Sequence, residues 1–268
     1  GGLICTKNGL LLNSLNTFGL TIKLDARYYL VYLQECGVRV VQNLIWWLFV
    51  FCLPIFLISS TVSWQINMPK LYEYGFNRYG IPEATGISEP ELMKVAQHLV
   101  SYFNLKESTA QIAIIKGGEE FDLFNERELI HLEDVRNLVQ LDYRIRAGSL
   151  VVMAACVLML LLWFRAKWQV LVRGLFMGGL ITSGLIIVLG LWALLGFEQL
   201  FILFHLVSFP NEYWILDPAT DYLVRLFPGG FFREAALFGF SAVLLEGVSV
   251  TIITFGILKL VNKRKMVE

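Results

Sequence analysis

Four stretches of this chain are apolar for long enough to cross a bilayer. Residues 40–60 read VVQNLIWWLFVFCLPIFLISS, which spans a hydrocarbon core of about 30 Å at roughly 1.5 Å per residue. Residues 147–164, 174–195 and 235–258 repeat the pattern. With interfacial margins, transmembrane helices are predicted over 38–62, 147–164, 174–195 and 235–258. Pro54 predicts a kink in the first, and Trp46, Trp47 and Trp64 suit interfacial depths.

Between the first two spans, over 63–146, the pattern changes to that of a small folded unit. Ser88-Glu89-Pro90-Glu91 reads as a capping box opening a helix. Its apolar stripe is Leu92, Val95, Ala96, Leu99, Val100 and Phe103, with His98 off the stripe on the solvated side. Gln111–Ile115 and Glu120–Leu123, joined by Lys116-Gly117-Gly118-Glu119, predict a β-hairpin. Asn125 then caps a helix, with Glu128 three residues on. The predicted fold class is therefore a membrane protein, mainly α, with four transmembrane helices and a small α/β extracytoplasmic cap between spans one and two.

The segment 196–234 opens apolar, with His205 set in the run, then breaks at Pro210 and turns polar and aromatic at Asn211, Glu212, Tyr213 and Trp214. Asp217-Pro218 reads as a helix start. If residues 197–209 are helical, Glu198, Phe201, Ile202, His205, Ser208 and Phe209 share one face. Within the fourth span Glu246 is a carboxylate at an expensive depth, expected to hydrogen-bond Thr182 or Ser183 on a neighbouring helix. Gly178, Gly179, Ser183 and Gly184 would let the helices approach closely.

Composition agrees. The 268 residues are 56% hydrophobic and only 16% charged, against about 25% charged for soluble domains. The 22 basic and 22 acidic side chains balance, which argues against a nucleic-acid partner. Lysine and arginine crowd 165–173 and 259–268 and also precede span one, so the lead-in 1–37, the link 165–173 and the tail 259–268 are expected in the cytoplasm. The segments 63–146 and 196–234 then face outward. Four cysteines at wide spacing form neither a disulfide framework nor a zinc motif.

No nucleophile elbow, His-Glu-x-x-His, P-loop or Gly-x-Gly-x-x-Gly occurs in the sequence. What remains is one histidine on each outward segment. His131 has Arg127 and Glu128 one turn before it and Asp134 and Val135 one turn after, so a carboxylate could hold one ring nitrogen and set the tautomer. A solvated helix laced with ion pairs fits the same residues, and a core histidine bonded to a backbone carbonyl fits His205. Two imidazoles with carboxylates nearby can move protons without a covalent enzyme intermediate.

Phe124-Asn125-Glu126-Arg127-Glu128 with His131, Asp134 and Val135, followed by Phe204-His205, Asn211, Trp214, Asp217-Pro218 and Thr220-Asp221, resembles the paired signatures of one integral-membrane family. That family is widespread in Gram-positive and related bacteria, and its characterised members are lipoprotein intramolecular transacylases (Lit). The similarity runs from about Trp47 to Lys259 and includes Tyr72-Glu73-Tyr74 and Gly86-Ile87-Ser88; residues 1–37 lie outside it.

The resemblance implies a multi-pass protein of the bacterial cell membrane with cytoplasmic termini and large extracytoplasmic loops. Its outer face would move an acyl chain from the glyceryl sn-2 oxygen of a diacylglyceryl lipoprotein to the amine of the N-terminal cysteine. His131 and His205 would be the catalytic pair, with the choice of base open. Arg127, Glu128, Asp134 and Asn211 would orient them, while Phe201, Tyr213 and Trp214 would hold lipid. The implied partners are membrane lipid and a lipidated protein, with no cofactor and no metal. Two other readings are a non-catalytic membrane protein whose outer cap binds a lipid or protein partner, and a transporter centred on Glu246.

Overall fold

The computed structural model describes residues 26–264, with side chains described over 37–263. The lead-in before residue 26 and the tail residues 265–268 lie outside that range. In chain order the elements are α1 (Ala26–Ile66), α2 (Pro69–Arg78), α3 (Ile81–Thr85), α4 (Glu89–Phe103), β1 (Ala113–Lys116) and β2 (Glu119–Asp122). They continue with α5 (Glu126–Leu158), which widens into a π turn over Met159–Trp163, then α6 (Gln169–Ser208), α7 (Tyr222–Leu226) and α8 (Gly229–Arg264). Among the described residues, four helices are long and apolar enough to cross a membrane, and they lie in α1, in α5 with its π turn, in α6 and in α8.

The four long helices pack through small residues. A Cβ added to Gly178 on α6 would meet Leu53 Cδ2 at 2.8 Å and Val50 O at 3.1 Å on α1. One added to Gly179 would meet Gly247 O on α8 at 2.9 Å. In lipid there is no hydrophobic force between helices, so this close backbone approach supplies the packing energy. Trp46 Nε1 donates to Val170 O at 3.0 Å, a further tie between α1 and α6. Helix α1 runs on through Pro54.

Glu246 finds a different partner from the one expected. Its carboxylate accepts from Thr61 Oγ1 on α1 at 3.4–3.5 Å. Thr182 and Ser183 instead donate to Gly178 O and Gly179 O of their own helix, at 2.8 and 2.9 Å. A hydroxyl that back-bonds to the preceding turn is satisfied locally and unavailable across the interface.

At one end of the bundle sits the cap, built on its own apolar core. Phe76, Ile87, Leu92, Leu99 and Ile114 are fully buried there, each contributing about 1.5–3 kcal/mol. The stripe of α4 points inward, with Tyr102 buried beside it and Val100 only half-buried. Ser88 occupies the N-cap of α4, yet its side chain makes no capping bond. Glu91, expected to complete that box, accepts instead from the amide of Ile115 at 3.1 Å and lies 3.5 Å from Lys94. His98 is half-buried, 3.0 Å from Thr109 O. The hairpin pairs Lys116 with Glu119 across Gly117 and Gly118, whose φ of 63° and 91° make the two-residue turn.

Residues far along the chain complete this cap. Leu223, Leu226, Phe227 and Phe231 join the same buried cluster as Phe76 and Leu92. The expected helix start at Asp217-Pro218 is absent. Residues 217–220 form a tight turn in which Asp217 O accepts from the amides of Thr220 and Asp221, and the helix begins at Tyr222 with Asp221 at its N-cap.

Candidate active site

Two helix ends bring the histidines together where the cap meets the bundle. Asn125 and Glu128 form the full reciprocal capping box at the start of α5, which places His131 early in that helix. His205 lies in the last turn of α6, beyond a break at Gly196, where φ −156° and ψ 55° interrupt the helix. The two imidazole centroids are 6.1 Å apart with 31° between the ring planes. Both residues are only 7% exposed.

The His205 ring has a fixed tautomer. Its Nδ1 lies 2.7 Å from Phe201 O, and a carbonyl only accepts, so Nδ1 carries the hydrogen and Nε2 of the neutral ring keeps its lone pair. His131 Nδ1 is buried with no hydrogen-bond partner among the described residues. A buried polar atom left open costs about 1–3 kcal/mol, and such exceptions concentrate where a ligand completes the site.

Aromatic rings close around the pair. Phe209 lies 5.2 Å edge-on to His131 and 5.5 Å from His205. Phe201, Trp214 and Phe204 stand 4.3, 4.8 and 5.3 Å from the His205 ring. This is an apolar box with two imidazoles at its centre, suited to an acyl ester and hostile to free water.

The loop carrying Phe209 to Trp214 is fastened to α5. Asn211 Nδ2 donates to Asp134 Oδ2 at 2.8 Å, while Asn211 Oδ1 accepts from the Tyr213 amide at 3.1 Å. Arg127 donates to Glu212 O at 2.7 Å and lies 5.9 Å from the Tyr213 ring centroid. Neither carboxylate one turn from His131 holds its ring. Asp134 is bonded to the loop, and both Glu128 oxygens accept backbone amides, Oε2 from Asn125 at 2.8 Å and Oε1 from Leu223 at 2.6 Å.

Asp221 completes this clamp. Its carboxylate accepts from Asn125 Nδ2 at 2.9 Å, Thr220 Oγ1 at 3.0 Å and the Asp217 amide at 2.7 Å. Burial alone would raise its pKa, but those three donors, with the Arg127 charge, outweigh burial and hold the carboxyl below the usual value. Asp221 and Phe204 stood among the signature residues of the sequence but were given no role in the site. Phe209 had a signal, since it falls on the His205 stripe of the helix. Among the described residues no group of three or more His, Cys, Asp or Glu is positioned to hold a metal ion.

Four apolar helices, with a cap seated on one end and two buried imidazoles at the junction, define a membrane-integral protein. Residues 47–232 match the family described as Lipoprotein intramolecular transacylase Lit, and the chain belongs to that family. The solved structure of the membrane-integral lipoprotein intramolecular transacylase Lit from Bacillus cereus is 21% identical, with a TM-score of 0.66 over 85% of this chain and 99% of that one. Two variants of the Bacillus cereus protein, one with a histidine-to-arginine and one with a histidine-to-alanine substitution, are each 20% identical with TM-scores of 0.64. They cover 91% and 89% of this chain and 100% and 99% of their own. The fold is thus that of a Lit membrane protein. No curated protein matches the sequence.

Proposed function

We propose that this protein transfers an acyl chain within a diacylglyceryl-modified lipoprotein, from the glyceryl sn-2 oxygen to the α-amine of the N-terminal cysteine. The observation that carries the reading is the facing pair His131 and His205, 6.1 Å apart inside an aromatic box. His205 Nε2, left with its lone pair by the bond from Nδ1 to Phe201 O, removes a proton from the attacking amine. The new C–N bond forms and the ester C–O bond breaks while a ring N–H of neutral His131 hydrogen-bonds the developing oxyanion, and the His205 imidazolium gives the amine proton to the departing glyceryl oxygen. The proton that His205 takes from the amine leaves with the glyceryl hydroxyl, so both rings end neutral and no cofactor is consumed.

Amine and ester belong to one molecule, so much of the entropic cost of bringing them together is already met. Phe201, Tyr213 and Trp214 hold the lipid, and Arg127, Glu128, Asp134 and Asn211 keep the loop closed over the rings. Basic residues Arg165, Lys167, Arg173, Lys259 and Lys263 lie toward the bundle end away from the cap. The positive-inside bias therefore favours cytoplasmic termini and an extracytoplasmic cap.

The test is to express the protein in bacteria that make only diacylglyceryl lipoproteins and to fragment a reporter lipoprotein by tandem mass spectrometry. Product and substrate are isomers, so intact mass is silent and the position of the acyl chain decides. An acylated amine with a monoacylglyceryl thioether supports the reading. A reporter that keeps a free amine and both esters sinks it.

A further inference from the structure

Beside the histidine pair, α6 and the start of α8 border an open cavity of about 650 Å³ at the Gly196 break. That volume falls in the roughly 300–1,000 Å³ range of ligand sites. We infer that this cavity binds one ester-linked acyl arm of the lipidated substrate and sets the chain length accepted, an assignment that rests on the function proposed above.

Three features point to that occupant. The wall is continuous with the catalytic box, because Phe201 lines the cavity and its ring also lies 4.3 Å from His205. Phe197, 5.5 Å from Phe201 along the same helix, extends the wall away from the imidazole. The mouth opens toward lipid: Leu194 and Leu195 line it and are 64% and 88% exposed on a helix long enough to span.

Arg233 and Gln199 supply N–H donors to the lining, alongside the Glu198 carboxylate. Ester oxygens only accept, so the Arg233 and Gln199 donors complement the ester while Leu194, Leu195, Phe197 and Phe201 meet the hydrocarbon. A charged side chain is tolerable here because it sits near a helix end, where it can meet headgroups rather than hydrocarbon.

Gly229 supplies the means of testing this. It lines the cavity, and a Cβ placed on it would meet nothing within 4 Å, so a larger side chain enters empty space. The full chain is purified in detergent as native protein and as the Gly229→Trp, Leu195→Trp and Ile252→Trp variants. Ile252 is 65% exposed on α8 and does not line the cavity, so it serves as a lipid-facing control. Each is given diacylglyceryl lipopeptides carrying sixteen-carbon or four-carbon chains, and the rate ratio of long to short is read, with melting temperature as the folding check.

The expected result is a ratio lowered by about tenfold or more in Gly229→Trp and Leu195→Trp, the size of effect a filled apolar subsite produces, with Ile252→Trp at the native ratio. If either plugged variant melts like the native protein yet keeps the native ratio, the assignment is overturned. A fall that appears in phosphatidylglycerol vesicles but not in detergent gives the cavity to a bilayer lipid and also overturns it. If the native protein converts neither substrate, the functional reading itself fails, and the chain-length assignment falls with it.

Discussion

The carboxylate of Glu128 accepts the backbone amide of Leu223 at 2.6 Å, across 95 positions of sequence. One oxygen closes the capping box of α5 and the other holds the start of α7, so a single fully buried side chain joins the two segments that carry the histidines. The loop over the active site is thereby hung between two fixed points.

Glu128→Gln is expected to destabilise the protein. An amide has one acceptor oxygen where two buried amides need one each, and leaving a buried donor unsatisfied costs about 1–3 kcal/mol. The melting temperature in detergent should fall by about 2–10 °C, and an unchanged value contradicts the clamp.

Acid should loosen the same clamp through Asp221. Because the folded carboxyl holds its proton less readily than in the unfolded chain, its stabilising contribution is complete above the unfolded value of about 3.9 and is lost as pH falls below it. Asp221→Asn is expected to lower stability at neutral pH and to flatten the decline on the acid side. Melting curves from pH 7 to pH 3 check this; parallel declines in native and variant protein would refute it.

Asn211 and Asp134 are expected to act as one unit in positioning the loop. Asn211→Ala should lower the rate about tenfold, the worth of one hydrogen bond to a charged acceptor, and adding Asp134→Ala should cost little more. A double-mutant cycle on the transfer rate reads the coupling. Fully additive losses would show that the bond between them does not matter to the reaction.

Glu246→Gln is expected to retain transfer activity, since an amide oxygen still accepts from Thr61 and the change removes a carboxylate from an apolar setting. Loss of activity with the fold intact would instead mark Glu246 as a proton or ion site.

What could be read from the sequence was set by the range of the interaction. The four spans follow from unbroken apolar runs, the hairpin turn from Gly117-Gly118, and the α5 cap from Asn125 and Glu128 three residues apart. Local rules failed where two residues satisfied the same rule. Asp217 and Asp221 both suit a helix N-cap, and only the bond from the Asp217 amide back to the Asp221 carboxylate decides for the second. Ser88 has the right type and position, but Glu91 is taken by the Ile115 amide from the hairpin.

The site itself was legible only in part. Each histidine stood out on its own segment, but the juxtaposition of His131 and His205 comes from helix packing, which periodicity does not encode; the resemblance joined them. Glu128 was legible as the partner in the α5 cap, but not its second bond, since Leu223 lies far beyond any window in which i,i+4 reasoning applies.

The central claim is that both imidazoles act on one substrate. Its most direct test is the tandem mass spectrum of a diacylglyceryl lipopeptide incubated with purified native protein, His131→Ala or His205→Ala. The account predicts N-acylated product from the native protein, a fall of about 10²–10⁴-fold in each variant, and melting temperatures close to native. Product formed at the native rate by either variant would contradict it.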